Sequence, residues 1–186
     1  MRIGVLALQG AYAAHARPLS ELGLASFEVR AAEDLDQADG LILPGGESSA
    51  QLALIERFGL EKPLIAFARS GRPILAVCAG LIVAARGVTS PVQRSLGFID
   101  LGVMRNAYGR QLDSFEAISD DGDLPLVFIR APRITHVGAG VEVLATLRGD
   151  PVLAREAHVT AASFHPELTR SLYVHRSAFY GATGLP

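Results

Sequence analysis

The octapeptide Ile74-Leu75-Ala76-Val77-Cys78-Ala79-Gly80-Leu81 is where the architecture of this chain is most directly read. Ile74 to Val77 is a short apolar run of strand type. Residues 79–85 are strong helix formers that stop at Gly87, and Cys78 stands at the junction. A strand passing this abruptly into a helix is a nucleophile elbow, with small residues flanking a bend whose backbone comes close to substrate. At such a helix start, unpaired N–H groups and the helix dipole favour thiolate over thiol. Cys78 is the only cysteine, so an intrachain disulfide is impossible and it is either a small buried hydrophobe or a reactive thiol.

Outward from the elbow the same rhythm repeats. Residues 3–8 form an apolar run ending in Gln9-Gly10, followed at 11–22 by helical spacing. Residues 27–30 and 40–43 read as further strands, the second after an acidic turn at 34–39 and before Pro44-Gly45-Gly46. A helix is expected from Ser48 or Ser49, with serine as its cap. Strands alternating with helices imply an α/β fold, a doubly wound, mostly parallel sheet flanked by helices. From about Leu96 the runs shorten, as at 124–129 and 141–147, and Gly, Pro and Asp separate them, which predicts added antiparallel strands. Residues 157–164 give a last strand, and 171–180 a closing helix.

The 186 residues fit a single domain, 1–186, with no repeat or linker. With 17 basic against 19 acidic residues there is no basic face for nucleic acid and no polybasic membrane patch. Charged residues interrupt every apolar stretch short of the ~20 residues that span a bilayer, and the N-terminus lacks a signal-peptide core. A soluble, cytoplasmic protein with a small-molecule or protein partner is the expectation.

A thiol nucleophile needs a base, and the base needs an orienting group. Phe164-His165-Pro166-Glu167 supplies both after the last strand, at the carboxyl-end edge where ligand sites of open α/β sheets collect. In an extended backbone His165 and Glu167 would project to a similar side, with Pro166 limiting the alternatives. The other histidines, His15, His136, His158 and His175, have no such neighbours and read as surface or packing residues, with no metal site evident. Pro44-Gly45-Gly46-Glu47-Ser48 offers either backbone N–H groups for a developing oxyanion or simply a tight turn with a helix cap. Without a Walker lysine it disfavours nucleotide. Arg105 and Arg130, taken alone, are surface residues. Asp113, Glu116, Asp120, Asp121 and Asp123 read as a solvated strand edge and loop.

Together, the elbow, the Pro-Gly-Gly loop and the His-Pro-Glu segment resemble the class I glutamine amidotransferases. Val5-Leu6-Ala7-Leu8-Gln9-Gly10, Pro44 to Ser48, Cys78-Ala79-Gly80-Leu81, Gly109-Arg110-Gln111-Leu112-Asp113-Ser114-Phe115-Glu116, Phe128-Ile129-Arg130-Ala131-Pro132 and Phe164-His165-Pro166-Glu167-Leu168-Thr169 are similar to the PdxT family, the glutaminase subunits of pyridoxal 5'-phosphate synthase. These blocks span almost the whole chain in order. Ala76-Val77 replaces the family's usual Gly-Thr, and Tyr108 stands where Phe is commoner.

The resemblance implies hydrolysis of L-glutamine by Cys78 as nucleophile, His165 as base and acid, and Glu167 as its orienting group. It places Gly46, Glu47, Ser48, Arg105, Ile129 and Arg130 in contact with substrate, and an oxyanion hole at the N–H groups near Gly46 and Ala79. No cofactor is implied. The ammonia would pass to a (β/α)8-barrel synthase partner, PdxS, which combines it with ribose 5-phosphate and glyceraldehyde 3-phosphate. In the family, docking completes the oxyanion hole near Gln9-Gly10, so the free glutaminase is expected to be nearly idle. Three other readings stay open: a glutaminase serving another synthase, such as one making histidine; a catalytically silent regulatory subunit; and a thiol hydrolase sharing only the elbow.

Overall fold

The computed structural model describes residues 1–105 and 114–181; Tyr108 and the 109–113 part of the block quoted above lie outside them. The chain runs β1 (Arg2–Leu6), a 3-10 turn (Tyr12–His15), α1 (Ala16–Glu21), β2 (Ala25–Val29), α2 (Ala32–Leu35), β3 (Gly40–Leu43) and α3 (Ser48–Arg57). Then come α4 (Glu61–Arg69), β4 (Ile74–Val77), α5 (Ala79–Ala84), β5 (Ala85–Thr89), β6 (Ile99–Met104), β7 (Phe115–Ile118) and β8 (Pro125–Phe128). It closes with β9 (Arg133–Val137), β10 (Glu142–Leu147), β11 (Asp150–Glu156), β12 (Val159–Ala162), a 3-10 turn (Pro166–Leu168) and α6 (Tyr173–Tyr180).

One seven-stranded sheet, in the order β10-β11-β12-β4-β3-β1-β2, carries the molecule. From β12 to β2 its strands are parallel, and β10 and β11 extend it antiparallel, as the sequence predicts. Strands β3, β4 and β12 are buried at every position, which is why they read as unbroken apolar runs rather than alternating ones. Their period of two still divides the core. Leu41, Leu43, Ile74 and Ala76 face one layer with Leu52, Leu64, Phe67 and Leu81, while Ile42, Leu75 and Val77 face the other with Leu19, Phe128, Val174 and Phe179. Helices therefore cover both faces. The remaining short strands do not join this sheet; they form a β5-β6-β9 sheet and a β7-β8 hairpin.

Several elements differ from the sequence reading. The helix expected at 11–22 is a 3-10 turn followed by the short α1, because Pro18 has no N–H to donate and is tolerated only in a helix's first turn. The supposed acidic turn overlaps the end of α2, whose start is capped by the Asp34 carboxylate accepting N–H groups of Arg30 and Ala31 at 2.8 and 2.9 Å. Helix α5 stops at Ala84, and Gly87 lies inside a strand whose Val88 and Thr89 pair with β6. Helix α4 was not foreseen, although Leu60, Leu64, Phe67 and Ala68 form a buried stripe at helical spacing.

Candidate active site

Strands β4 and β12 are parallel neighbours with Val77 opposite Ala162, so their carboxyl ends emerge at the same level. Cys78 follows one and His165 the other. Cys78 has φ 49° and ψ −102°, a left-handed backbone that is strained for a residue with a Cβ, by about 1–3 kcal/mol. The bend closes because a Cβ at Gly80 would lie 2.0 Å from the Leu43 carbonyl oxygen: only glycine lets α5 come this near β3. Ala76, in place of the family's glycine, is fully buried between Leu43 and Ala161, so the turn forms with its methyl absorbed into the core.

His165 is held from three sides. Its N–H donates to the Val127 carbonyl at 2.8 Å, its ring lies against Gly45, and its Nδ1 is 2.7 Å from Glu167 Oε1. A Cβ at Gly45 would meet His165 Cε1 at 2.4 Å, so that glycine makes room for the imidazole. The Cys78 side chain points to the Ile129 carbonyl oxygen, 4.0 Å from Sγ, and lies within electrostatic reach of the same ring. Burial opposes a charged imidazole here, but the attraction of Cys78 and the bond and charge of Glu167 outweigh it and hold the His165 pKa up at about 10. Burial likewise opposes ionised Glu167, and the hydrogen bond from His165 overcomes it, holding the carboxyl below its usual range. The two side chains meet through the 3-10 turn Pro166–Leu168, not along an extended strand. Pro166 opens the turn, where its missing N–H is no loss.

A cavity of about 160 Å³ opens above Cys78. Gly46, Glu47, Ser48, Ala79, Arg105, Ile129, Arg130 and His165 all line it with Cys78, while Glu167 lies behind His165. Residues from distant parts of the chain thus reach one small space. Arg105 Nη2 donates to Glu47 Oε1 at 3.0 Å and to Ser49 Oγ at 3.2 Å, placing a cation and an anion together on the rim. Glu47 also caps α3, accepting from the Ser49 N–H at 3.4 Å, and its own N–H donates to Gln9 Oε1 at 3.1 Å. Ser48 Oγ donates to Gln93 Oε1 at 3.2 Å. Arg130, like Cys78, has a positive φ, 47°. Ala79 begins α5, so its N–H is one of the helix-start donors with no partner inside the helix.

Residues 5–180 match the SNO glutamine amidotransferase family. The chain belongs to that family. Among its relatives, the pyridoxal 5'-phosphate synthase subunit PdxT of Shouchella clausii (strain KSM-K16) is 48% identical over 95% of this chain and 93% of its own length. The same-named subunit of Methanocorpusculum labreanum (strain ATCC 43576 / DSM 4855 / Z) is 48% identical, covering 95% of each chain. A solved glutamine amidotransferase superposes with a TM-score of 0.87 at 42% identity, over 95% of this chain and 96% of that one. PurLQS from Thermotoga maritima includes a chain with a TM-score of 0.68 at 16% identity, over 95% and 96%, and shares the fold.

Two features of this SNO glutamine amidotransferase escaped the sequence. His15 and His175 pair with each other in full burial beside the Glu167 turn, although neither has a telling neighbour in the chain. Gly45 makes room for the imidazole of His165. The signal for it was the doubled glycine, where one suffices for a turn.

Proposed function

We propose that this glutamine amidotransferase is the glutaminase subunit of a pyridoxal 5'-phosphate synthase, with Cys78, His165 and Glu167 as its triad. The observation that carries the reading is Cys78 at a strained elbow, sharing one small polar-rimmed cavity with an imidazole that a buried carboxylate holds at 2.7 Å. The Cys78 sulfur attacks the side-chain amide carbon of L-glutamine. The N–H groups at Gly46 and Ala79 receive the tetrahedral oxyanion. His165, carrying the proton taken from the thiol, gives it to the departing nitrogen, the C–N bond breaks, and ammonia leaves a glutamyl thioester. Water then attacks that thioester; His165 takes its proton and returns it to sulfur as glutamate departs. Glu167 stabilises the imidazolium in each half.

The rim suits the other end of the substrate. Arg105 and Arg130 offer cations to the α-carboxylate and Glu47 an anion to the α-ammonium, with Ser48 and Ile129 completing the wall. Free ammonia is mostly protonated at neutral pH and no longer nucleophilic, which favours direct transfer to a PdxS-type (β/α)8-barrel synthase. The relatives' shared name, a subunit of pyridoxal 5'-phosphate synthase, supports a synthase partner. A cytoplasmic setting, which keeps thiols reduced, suits a lone nucleophilic cysteine.

Glutamate release with and without the purified barrel synthase tests the proposal. Release should be strong only in the complex, and Cys78→Ala should abolish it. Full activity of the free chain would remove the partner from the reading, and release by the Cys78→Ala complex would remove the nucleophile.

A further inference from the structure

Beyond the triad lies a second pair of imidazoles. His15 and His175 are both fully buried, with His15 Nδ1 3.0 Å from His175 Nε2. Three buried atoms around them, His15 Nε2, His175 Nδ1 and Glu167 Oε2, have no hydrogen-bond partner among the described residues. The 3-10 turn that His15 closes packs against the Pro166–Leu168 turn, and Arg17 fastens the two by donating to the carbonyl oxygens of Glu167, at 3.3 Å, and of Thr169. His15 lies within electrostatic reach of both Glu167 and His165.

Only one of the two facing nitrogens can carry the shared proton. Were it on His15 Nδ1, His15 Nε2 would be left as a second buried acceptor within electrostatic reach of a carboxylate that already has an unpartnered oxygen. With the proton on His175 Nε2, His15 accepts at Nδ1 and keeps an N–H at Nε2, an unspent buried donor within electrostatic reach of Glu167, whose Oε2 is likewise unspent; the two make no direct hydrogen bond in this structure. Resting on the triad reading above, we infer that His15 is a positioning residue: held as its Nε2–H tautomer by His175, it orients Glu167 and so the imidazole of His165.

Neutrality suits this role. A cation at His15 would compete with His165 for the carboxylate, whereas a neutral N–H fixes its geometry and leaves its charge available. Burial holds His15 down at about 4 and His175 at about 3, helped by the charge of His165 at the first and by those of His15 and then Arg17 at the second; the Glu167 charge pulls His15 the other way without prevailing.

Imidazole nitrogen-15 NMR of the free chain reads the tautomer without any substitution. The Nε2–H form of His15 should persist between about pH 5.5 and 8, and an Nδ1–H form or an imidazolium in that window overturns the inference. His15→Leu and His15→Gln separate positioning from packing, since glutamine keeps an amide N–H near the Nε2 place. Leucine should lower the apparent pKa of His165 by about one unit and the kcat of glutamate release by about 10- to 100-fold, with KM little changed. Glutamine should restore kcat to within about threefold of the parent. Equal losses in both variants at equal thermal stability would reduce His15 to a core filler. Failure of the triad reading shows separately, as glutamate release surviving Cys78→Ala, because the tautomer and the His165 titration do not depend on turnover.

Discussion

Cys78 donates its backbone N–H to the carbonyl oxygen of Ala162 at 2.8 Å. The bond continues the β4-β12 ladder past the last residue of β4, and it ties the sulfur-bearing residue to the strand that delivers His165. Sulfur and imidazole are therefore registered by the main chain of a rigid sheet. A slip of one residue would turn every side chain of β12 to the opposite layer, so the hydrophobic core itself guards the alignment.

Glu167→Gln keeps the shape of the orienting group and removes its charge. The amide cannot stabilise the imidazolium, and the kcat of glutamate release in the complex should fall by about a thousandfold or more while KM changes little. Steady-state kinetics decide this, and a variant with parental kcat would strip Glu167 of its role.

Gly45→Ala should displace His165, because its Cβ would meet the ring at 2.4 Å and the imidazole is packed on its other sides. Activity should drop by about 100-fold for a shift of roughly an ångström, with a stability loss of about 1–3 kcal/mol. Kinetics and urea unfolding measured together distinguish this local displacement from general unfolding.

Arg105→Ala should raise KM for glutamine by about 10- to 100-fold and affect kcat less, the signature of lost binding to the unreacting end of the substrate. Its partner Glu47 has a side chain 52% exposed, so the ion pair itself contributes less than about 1 kcal/mol and stability should barely move. A fall in kcat with KM unchanged would move Arg105 from binding into the chemistry.

Stability should peak near neutrality for two opposed reasons. His165 is raised from 6.5 to about 10, so its contribution is complete below 6.5 and is lost as pH climbs through about 10. His15 and His175 are lowered to about 4 and about 3, so theirs is complete above 6.5 and drains away as the unfolded chain takes up protons below it. Glu167, held below its usual range, adds to the acid-side loss. Urea midpoints across pH should lose the alkaline limb in His165→Gln and much of the acid limb in a His15→Gln, His175→Gln double variant; unchanged limbs would refute the assignment.

Much of this molecule is legible along the chain. The run Ile74-Leu75-Ala76-Val77 announces a strand buried on both sides, and Gly40–Leu43 does the same, because burial on two faces admits only apolar residues. Cys78 at the bend, the paired glycines at 45 and 46, and His165 with Glu167 one proline apart also stand out, since each is a residue type whose chemistry or backbone freedom has few other uses in that setting. Local detail is not written in the chain where a short helix competes with a turn: Pro18 truncates α1, and Asp34 caps an α2 of four residues.

What the linear order determined on its own is the parallel α/β core and the candidate pair Cys78 and His165, because strand burial and reactive side chains are written residue by residue. Tertiary structure alone decided that β12 lies beside β4, that Arg105 reaches Glu47 across 58 positions, and that His15 meets His175 across 160. No local pattern encodes such meetings. They are fixed by the packing of two core layers around one sheet, where a polar side chain's partner is whatever the far end of the chain brings into the same dry space.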